Sequence, residues 1–514
     1  MSYSILGPVT PRANDDIEGI AAKVDRVRGN APLPVETRKS LLRDLYFAIV
    51  DNTDFLCAAL QKDLHRNPAE TKLLELSGIL AEIKVALDNV DKWSKPEKTH
   101  LDIKYALAHP KLYKQPYGTV LVIGPWNYPY LCLVAPIISA IAAGNTIVAK
   151  PSEMVPHASE AVIQVLEKAL PRSVFAAIIG GVPETTELLK VKFDKICFTG
   201  STGVGKVVSR AAAEHLTPVL LELGGKSPVI ITKSCDLALA AKRVAWGKFI
   251  NAGQTCIAPD YVLVCDGLQD KFVAELKAAV KRMYPNLTKD SSDFAHIVSH
   301  RLWNRANELV QSTKGTVELQ WGRADEETLF FPPTIVSNVT PSDSLMKEEL
   351  FGPLLPILPI NSIDEALSYI KIHDTPLATY LFTNKKSDID IVSKVRTGAF
   401  VINDTVYHGG SHTIPFGGFG QSGTGCYHGK FGFDAFTHYR PEMNQGKFIE
   451  TVLGVRYPPY TTKKQGILSQ MMIPFGVWWS RTGPVRPSFF RRALCSRWWI
   501  IIAVLAILQL RANL

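Results

Sequence analysis

The stretch KICFTGSTGVGKVVSRAAAEHLTPVLLEL, residues 195–223, decides the fold. An apolar, strand-like run KICFTG (195–200) breaks at a glycine loop, GSTGVG (200–205), which opens a helical segment ending near His215. PVLLEL (218–223) is again strand-like. A strand, a short loop, a helix and a second strand make one parallel βαβ unit. The alternation continues upstream. TVLVIG (119–124) reads as a buried strand, and LCLVAPIISAIAAG (131–144) as a mostly apolar helix closed by Gly144. Next come the strand TIVAK (146–150), the helix SEAVIQVLEKAL (159–170), the strand FAAIIGG (175–181) and the helix ETTELLKV (184–191). The fold class is therefore α/β, built on a doubly wound parallel sheet.

The bulk properties agree. A chain of 514 residues, 46% hydrophobic and 20% charged, has the composition of a globular protein long enough for two or more domains. Its eight cysteines form no CxxC pair, which argues against a zinc site or a disulfide framework and for a reducing compartment. The N-terminus MSYSILGPVTPRANDD has no basic start followed by an apolar run, so no secretory signal is expected there. The net charge of +9 sits entirely at one end. From Lys447 onward there are ten Lys and Arg against the single acid Glu450, leaving the first 446 residues neutral. A neutral body with a basic tail is not a nucleic-acid-binding pattern; it implies a separate attachment segment.

In a parallel sheet, ligands bind where strands lead into helices. GSTGVG occupies such a place, but its spacing is GxxGxG and not the dinucleotide fingerprint GxGxxG. Free amides at a helix N-terminus attract phosphate, and Ser201 adds a hydroxyl; a plain strand-to-helix turn would look similar. The neighbouring motifs decide between them. In order the chain shows PWNYP (125–129), AKPSE (149–153), FTGST (198–202), LELGGKSP (221–228), GQTC (253–256), EELFGP (348–353) and PFGGFGQSG (415–423). Together these resemble the aldehyde dehydrogenase superfamily, and YHGKFGFDAFTH (427–438) resembles its class 3 branch, which includes the fatty aldehyde dehydrogenases. The resemblance runs from about residue 20 to about 446.

That resemblance implies NAD(P)-dependent oxidation of aldehydes to carboxylic acids through a cysteine thiohemiacetal and thioester. Cys256 is then the nucleophile, a role suited to a thiol because sulfur is intrinsically nucleophilic and its thioester is readily hydrolysed. Asn127 and the backbone amide of Cys256 hold the oxyanion. Glu222, at the end of an apolar run, is the base that activates water, its pKa raised by burial. Lys150 and Glu153 grip the adenosine ribose, and Gly200 and Ser201 approach the pyrophosphate. Glu349 binds the nicotinamide ribose and Phe351 packs on its ring. A glutamate at the adenosine ribose favours NAD, with NADP as a second cofactor; no metal is implied. Two alternatives keep the fold: an acylating enzyme that passes the acyl group to phosphate or coenzyme A, and a non-catalytic membrane scaffold.

The implied organisation is an NAD(P)-binding domain over 1–225, a catalytic domain over 226–414, and a return to the first domain over 415–446. Residues 98–116 with 424–446 form an oligomerisation extension of a homodimer. Residues 447–514 are read directly as a membrane tail. They hold four of the nine tryptophans and an uncharged run, Trp498 to Leu510, of 13 residues. As a helix that run is about 20 Å long against a hydrocarbon core of about 30 Å. Extended to Ala493 it reaches 18 residues and takes in Arg497, whose side chain would snorkel. Both a C-terminal anchor and an interfacial helix fit the tryptophans and arginines. Membrane lipid is therefore an expected partner, and the substrate is expected to be a lipophilic aldehyde, a fatty aldehyde or an apocarotenal. The catalytic body would face the cytosol, with the organelle left open.

Overall fold

The computed structural model describes residues 3–447 and 454–472, apart from 6, 100–104, 106 and 107 and 448–449, together with 450, 479–480 and 483–484. It divides into two compact units, residues 1–95 with 114–438 and residues 96–113 with 439–514.

The first unit carries both large sheets. Along the chain run β1 (Thr119–Ile123), α1 (Leu131–Ala143), β2 (Thr146–Lys150), α2 (Pro156–Ala169), β3 (Phe175–Ala177), α3 (Val182–Leu188), β4 (Lys195–Thr199), α4 (Thr202–Ala213) and β5 (Val219–Glu222). The sheet order is β5-β4-β1-β2-β3, all parallel, and β13 (Gly423–Thr424) closes the β5 edge antiparallel. Every residue of β1 and β2 is buried. Continuous apolar strands of this kind require cover on both faces, and helices supply it. One face packs on α1, α2 and the N-terminal helices Val35–Asp51, Thr53–Leu64 and Ser77–Trp93; the other packs on Val24, Phe193 and Val208.

Helix α1 is apolar all round because it is buried all round, and Gly144, at φ 99°, ends it in the left-handed conformation. Three boundaries differ from expectation. Helix α2 starts at Pro156, three residues early, since proline is well tolerated at a first helical position. Strand β3 stops at Ala177 rather than 181, ahead of Gly180 at φ 158°. Helix α3 covers 182–188 instead of 184–191.

The chain goes from β1 outward through β2 to β3, then crosses back to β4 and β5 on the other side of β1. The crevice at the carboxyl ends of β1 and β4 is therefore the topological switch point, where such sheets bind ligands. PWNYP follows β1 there, and GSTGVG follows β4.

The second sheet is built from β6 (Pro228–Ile231), β7 (Tyr261–Cys265), β8 (Thr316–Gln320), β9 (Thr334–Ser337), β10 (Leu354–Ile360), β11 (Ala378–Phe382) and β12 (Ala399–Ile402), in the order β8-β9-β10-β7-β6-β11-β12. Only β8 is antiparallel. Helix α5 (Leu237–Phe249) follows β6 and delivers the chain to the GQTC segment.

In the second unit, Asn444 N donates to Ala108 O at 2.8 Å and the Arg440 guanidinium lies 5.1 Å from the centroid of the Tyr113 ring. Strands Glu97–Lys98, Lys111–Pro116 and Thr437–Glu442 form a small sheet in that order. A helix spans Thr462–Met472. Among the described residues no helix is long and apolar enough to cross a membrane; the run Trp498–Leu510, with Arg497 and Ala493, lies outside them.

Candidate active site

After α5 the backbone turns through three positive φ angles, Asn251 at 50°, Ala252 at 52° and Gly253 at 75°. A Cβ on Gly253 would lie 2.2 Å from Gly352 O, so only glycine fits. Gln254 ties the turn down. Its Nε2 donates to Asn251 O and His296 O, both at 3.0 Å, and its Oε1 accepts from Val298 N at 3.0 Å. Thr255 Oγ1 meets Tyr128 OH at 2.7 Å, and Tyr380 OH donates to Ile257 O at 2.5 Å. Cys256 sits between these two anchors, half-buried. Burial pushes its thiol up to about 12, and the Glu349 and Glu222 carboxylates add to the rise; the amides of Cys256 and Ile257 oppose it in part.

Asn127 is buried in the loop after β1. Its Nδ2 donates one hydrogen to Gln254 O at 3.0 Å, which brings the amide to the Cys256 turn and leaves its second N–H for a ligand. Glu222 is the last residue of β5 and is buried, yet neither carboxylate oxygen has a hydrogen-bond partner. Burial raises its pKa well above the usual carboxylate range, with only the Gly418 amide opposing. Its carboxylate adds to the rise at Cys256. A buried carboxyl without a partner is costly, and such perturbed groups cluster at functional sites.

The remaining candidates line the carboxyl ends of the first sheet and the approach from the second. Lys150, buried at the end of β2, donates to Glu153 Oε2 at 2.9 Å. Gly200 follows β4, where a Cβ would sit 2.6 Å from the Phe198 ring. Ser201 is the N-cap of α4, its Oγ accepting from Val204 N at 3.4 Å. With β1 lying between β2 and β4, the Lys150–Glu153 pair and the Gly200–Ser201 turn flank the switch point and do not form one cluster. The Glu349 carboxylate presses on Gly224, where a Cβ would stand 2.0 Å from Oε2. Burial lifts its pKa to about 8, and Asp260 adds to the rise. Phe351, at φ 47°, packs edge-on against Trp126 with centroids 5.3 Å apart.

Sequence reasoning missed the buried polar frame behind these groups. Arg66 is completely buried, with Nη1 bonded to Glu75 Oε1 at 2.5 Å, Nε donating to Asn251 Oδ1 at 3.1 Å and Nη2 donating to Asn127 O. Asn251 and Gln254 stand next to the cysteine in NAGQTC and were visible there as two amide side chains. Nothing in a single sequence marks Arg66 or Glu75. Among the described residues one group has metal-ligand types close together: Glu82, His412 and His428. There Glu82 Oε2 pairs with His412 Nδ1 at 2.8 Å, and Oε1 accepts from Gly429 N at 2.6 Å. Burial would raise the Glu82 carboxyl, but the two histidines and that amide hold it at about 2.

Known proteins resemble the chain in sequence and in fold. The chain is 42% identical over 431 residues to the beta-apo-4'-carotenal oxygenase of Neurospora crassa, covering 84% of this chain and 81% of the relative. It is 39% identical over 438 residues to aldehyde dehydrogenase family 3 member A2 of Mus musculus, covering 85% and 90%. The substrate-bound structure of the AldH protein of Staphylococcus aureus superposes with a TM-score of 0.85 at 35% identity, over 89% of this chain and 100% of the other. The model of the aldehyde dehydrogenase family matches residues 10–441, a span that takes in both sheets and the Cys256 turn, so the chain belongs to the aldehyde dehydrogenase family.

Proposed function

We propose that Cys256, Asn127 and Glu222 perform the oxidation of a long, lipophilic aldehyde to its carboxylic acid. The observation that carries this reading is the buried, unpartnered Glu222 carboxyl beside the Cys256 turn to which the Asn127 amide is bonded. The Cys256 thiol gives its proton to water, and the thiolate sulfur attacks the aldehyde carbon. The carbonyl oxygen becomes an oxyanion, held by the free Asn127 Nδ2–H and by the Cys256 amide. As the carbonyl re-forms, hydride leaves the carbon and a thioester remains. Glu222 then takes a proton from water, hydroxide adds to the thioester carbon, the C–S bond breaks and the acid departs, leaving the thiolate.

NAD(P), when bound, supplies the acceptor for that hydride. The residues fit it: Gly200 leaves no room for a side chain where α4 begins, and Lys150 holds Glu153 at the neighbouring strand end. Lys150 and Glu153 would hold the adenosine ribose, Gly200 and Ser201 the pyrophosphate, Glu349 the second ribose and Phe351 the nicotinamide. The Glu153 carboxylate repels a 2′-phosphate, which favours NAD, with NADP as the second cofactor.

The likeness to an apocarotenal oxygenase supports polyene as well as aliphatic aldehydes. We assign residues 1–225 to the cofactor domain, 226–414 to the catalytic domain and 415–446 to the return. Residues 98–116 with 424–446 serve as the extension of a homodimer. Residues 447–514, with their ten basic residues and apolar run, hold the catalytic body on the cytosolic side of a membrane. The apolar run contributes the larger share at roughly 25 cal/mol per Å², against about 1 kcal/mol for each basic residue. Detergent should therefore release the protein where salt does not, and a chain ending near Gly446 should keep activity on short aldehydes while losing efficiency on long ones in vesicles. Full-length protein that stays in the supernatant without detergent would refute the tail's role.

The decisive assay is NADH formation from decanal with and without phosphate or coenzyme A. NADH without either acceptor is expected, and Cys256→Ala should abolish it. A strict need for an acceptor would instead favour acyl transfer, a reaction that leaves Glu222 without a task.

A further inference from the structure

We infer that Arg66 is a positioning residue of the oxidation, the group that sets the roll of the Asn127 amide. The inference rests on the roles just proposed for Asn127 and Cys256.

Arg66 touches both flanks of the site. Its Nη2 donates to Asn127 O, its Nε donates to Asn251 Oδ1 at 3.1 Å, and its guanidinium carbon lies 4.9 Å from the centroid of the Tyr128 ring. Glu75, equally buried, fixes the other end of the fork. A guanidinium has five donors and no acceptor. The Asn251 side chain must therefore turn its oxygen to Arg66 and its nitrogen away. That nitrogen donates to two carbonyls, Asn127 O and Gln254 O, both at 3.0 Å. Gln254 O accepts in addition from Asn127 Nδ2 at 3.0 Å. One planar cation thus dictates the polarity of one amide. That amide holds the carbonyl two residues before the nucleophile, and the same carbonyl fixes which N–H of Asn127 is spent and which is free.

Lysine keeps the charge but has no fork, so it cannot bond Glu75, Asn127 and Asn251 along three fixed directions at once. A displacement of about 1 Å at a reacting group costs about 100-fold in rate. Arg66→Lys should then lower kcat for decanal by about that factor, leaving the NAD dissociation constant and the KM for NAD unchanged. Asn251→Asp, which sets carboxylate oxygens against two carbonyls, should do the same.

The test is a double-mutant cycle with Asn127→Ala, read as kcat, alongside circular dichroism and NAD binding to confirm folding. A residue that acts through Asn127 has nothing left to position once that amide is gone. Arg66→Lys in the Asn127→Ala background should change kcat by no more than about twofold. Losses that multiply in full would mean a merely structural role and overturn the inference. An Arg66→Lys enzyme with wild-type kcat would overturn it too, while the loss on Asn127→Ala alone leaves the oxyanion reading standing. Wild-type kcat in Asn127→Ala would sink the oxyanion reading and this inference with it. If Arg66→Lys does not fold, Asn251→Asp takes its place in the same cycle.

Discussion

Two carboxylates are buried within the same few layers of the molecule, and they are treated in opposite ways. Glu75 has every oxygen bonded: Oε1 to Arg66 at 2.5 Å, Oε2 to Tyr130 N at 2.8 Å and Leu131 N at 2.9 Å. Glu222 is as deeply buried and has no partner for either oxygen. The first is a carboxylate with three donors, which offset in part the rise that its burial causes, at the start of helix α1 where the helix dipole favours an anion. The second is a carboxyl held high by burial and left without a partner, as the proposed base requires. Depth of burial alone does not separate a structural acid from a chemical one; the number of donors around it does.

The contrast is sharpest in kinetics. Glu222→Gln should leave the fold intact and reduce steady-state turnover by about 10²- to 10⁴-fold, the range for loss of a general base. A stoichiometric NADH burst should precede the stall, because hydride transfer comes before water attack. Wild-type turnover in the mutant would end the distinction between the two acids.

The reverse change tests stability. Glu75→Gln leaves the buried Arg66 charge with Glu70, 3.9 Å from its Nε, as its remaining carboxylate neighbour, and urea unfolding should show a loss of up to about 3–5 kcal/mol. A loss below about 1 kcal/mol would mean that the pair is not held as tightly as its geometry states.

A smaller effect separates them by pH. Glu222 keeps its proton in the folded chain above the ordinary carboxylate value of 4.5, so unfolding releases a proton there. Its contribution to stability is therefore present below pH 4.5 and falls as pH rises toward the raised folded value, by up to about 1.4 kcal/mol per pH unit. Glu222→Gln removes this loss. The mutant's unfolding midpoint should rise relative to wild type as pH climbs above 4.5; parallel curves would contradict the raised pKa. The smallest change concerns Glu349, whose carboxyl at about 8 also lifts the Cys256 thiol. At about pH 9 it is largely ionised, and Glu349→Gln should speed alkylation of Cys256 by iodoacetamide about two- to fivefold.

The sequence carried one half of the comparison and hid the other. Glu222 was legible because it ends an apolar strand and stands in the LELGGKSP motif; the same local signals placed β1, β2, β4 and β5 within a residue or two. The proposed cofactor residues were legible as motif members; of them Lys150 ends strand β2 and Gly200 directly follows β4. Arg66 and Glu75 were not, since their meaning lies in bonds to Asn127 and Asn251, brought close only by the tertiary fold. An arginine in a short connection and a glutamate on the helix after it read as solvated charges, and no periodicity distinguishes them. The positive φ angles of Asn251 and Ala252 were likewise hidden, because alanine carries no signal for that conformation.

Strand β13 has a consequence for how the enzyme comes into being. Gly423 pairs with Glu222 across the sheet edge, yet the ribosome makes it only after the whole second sheet has been synthesised. Until then the nascent chain presents an open strand edge at Glu222, with unpaired amides and carbonyls that invite foreign strands. Pairings this distant in sequence are slow to form and expose a chain to aggregation. A message cut short anywhere before Gly423 should therefore yield an insoluble product and no leaky activity, and active enzyme appears only once translation has passed that strand.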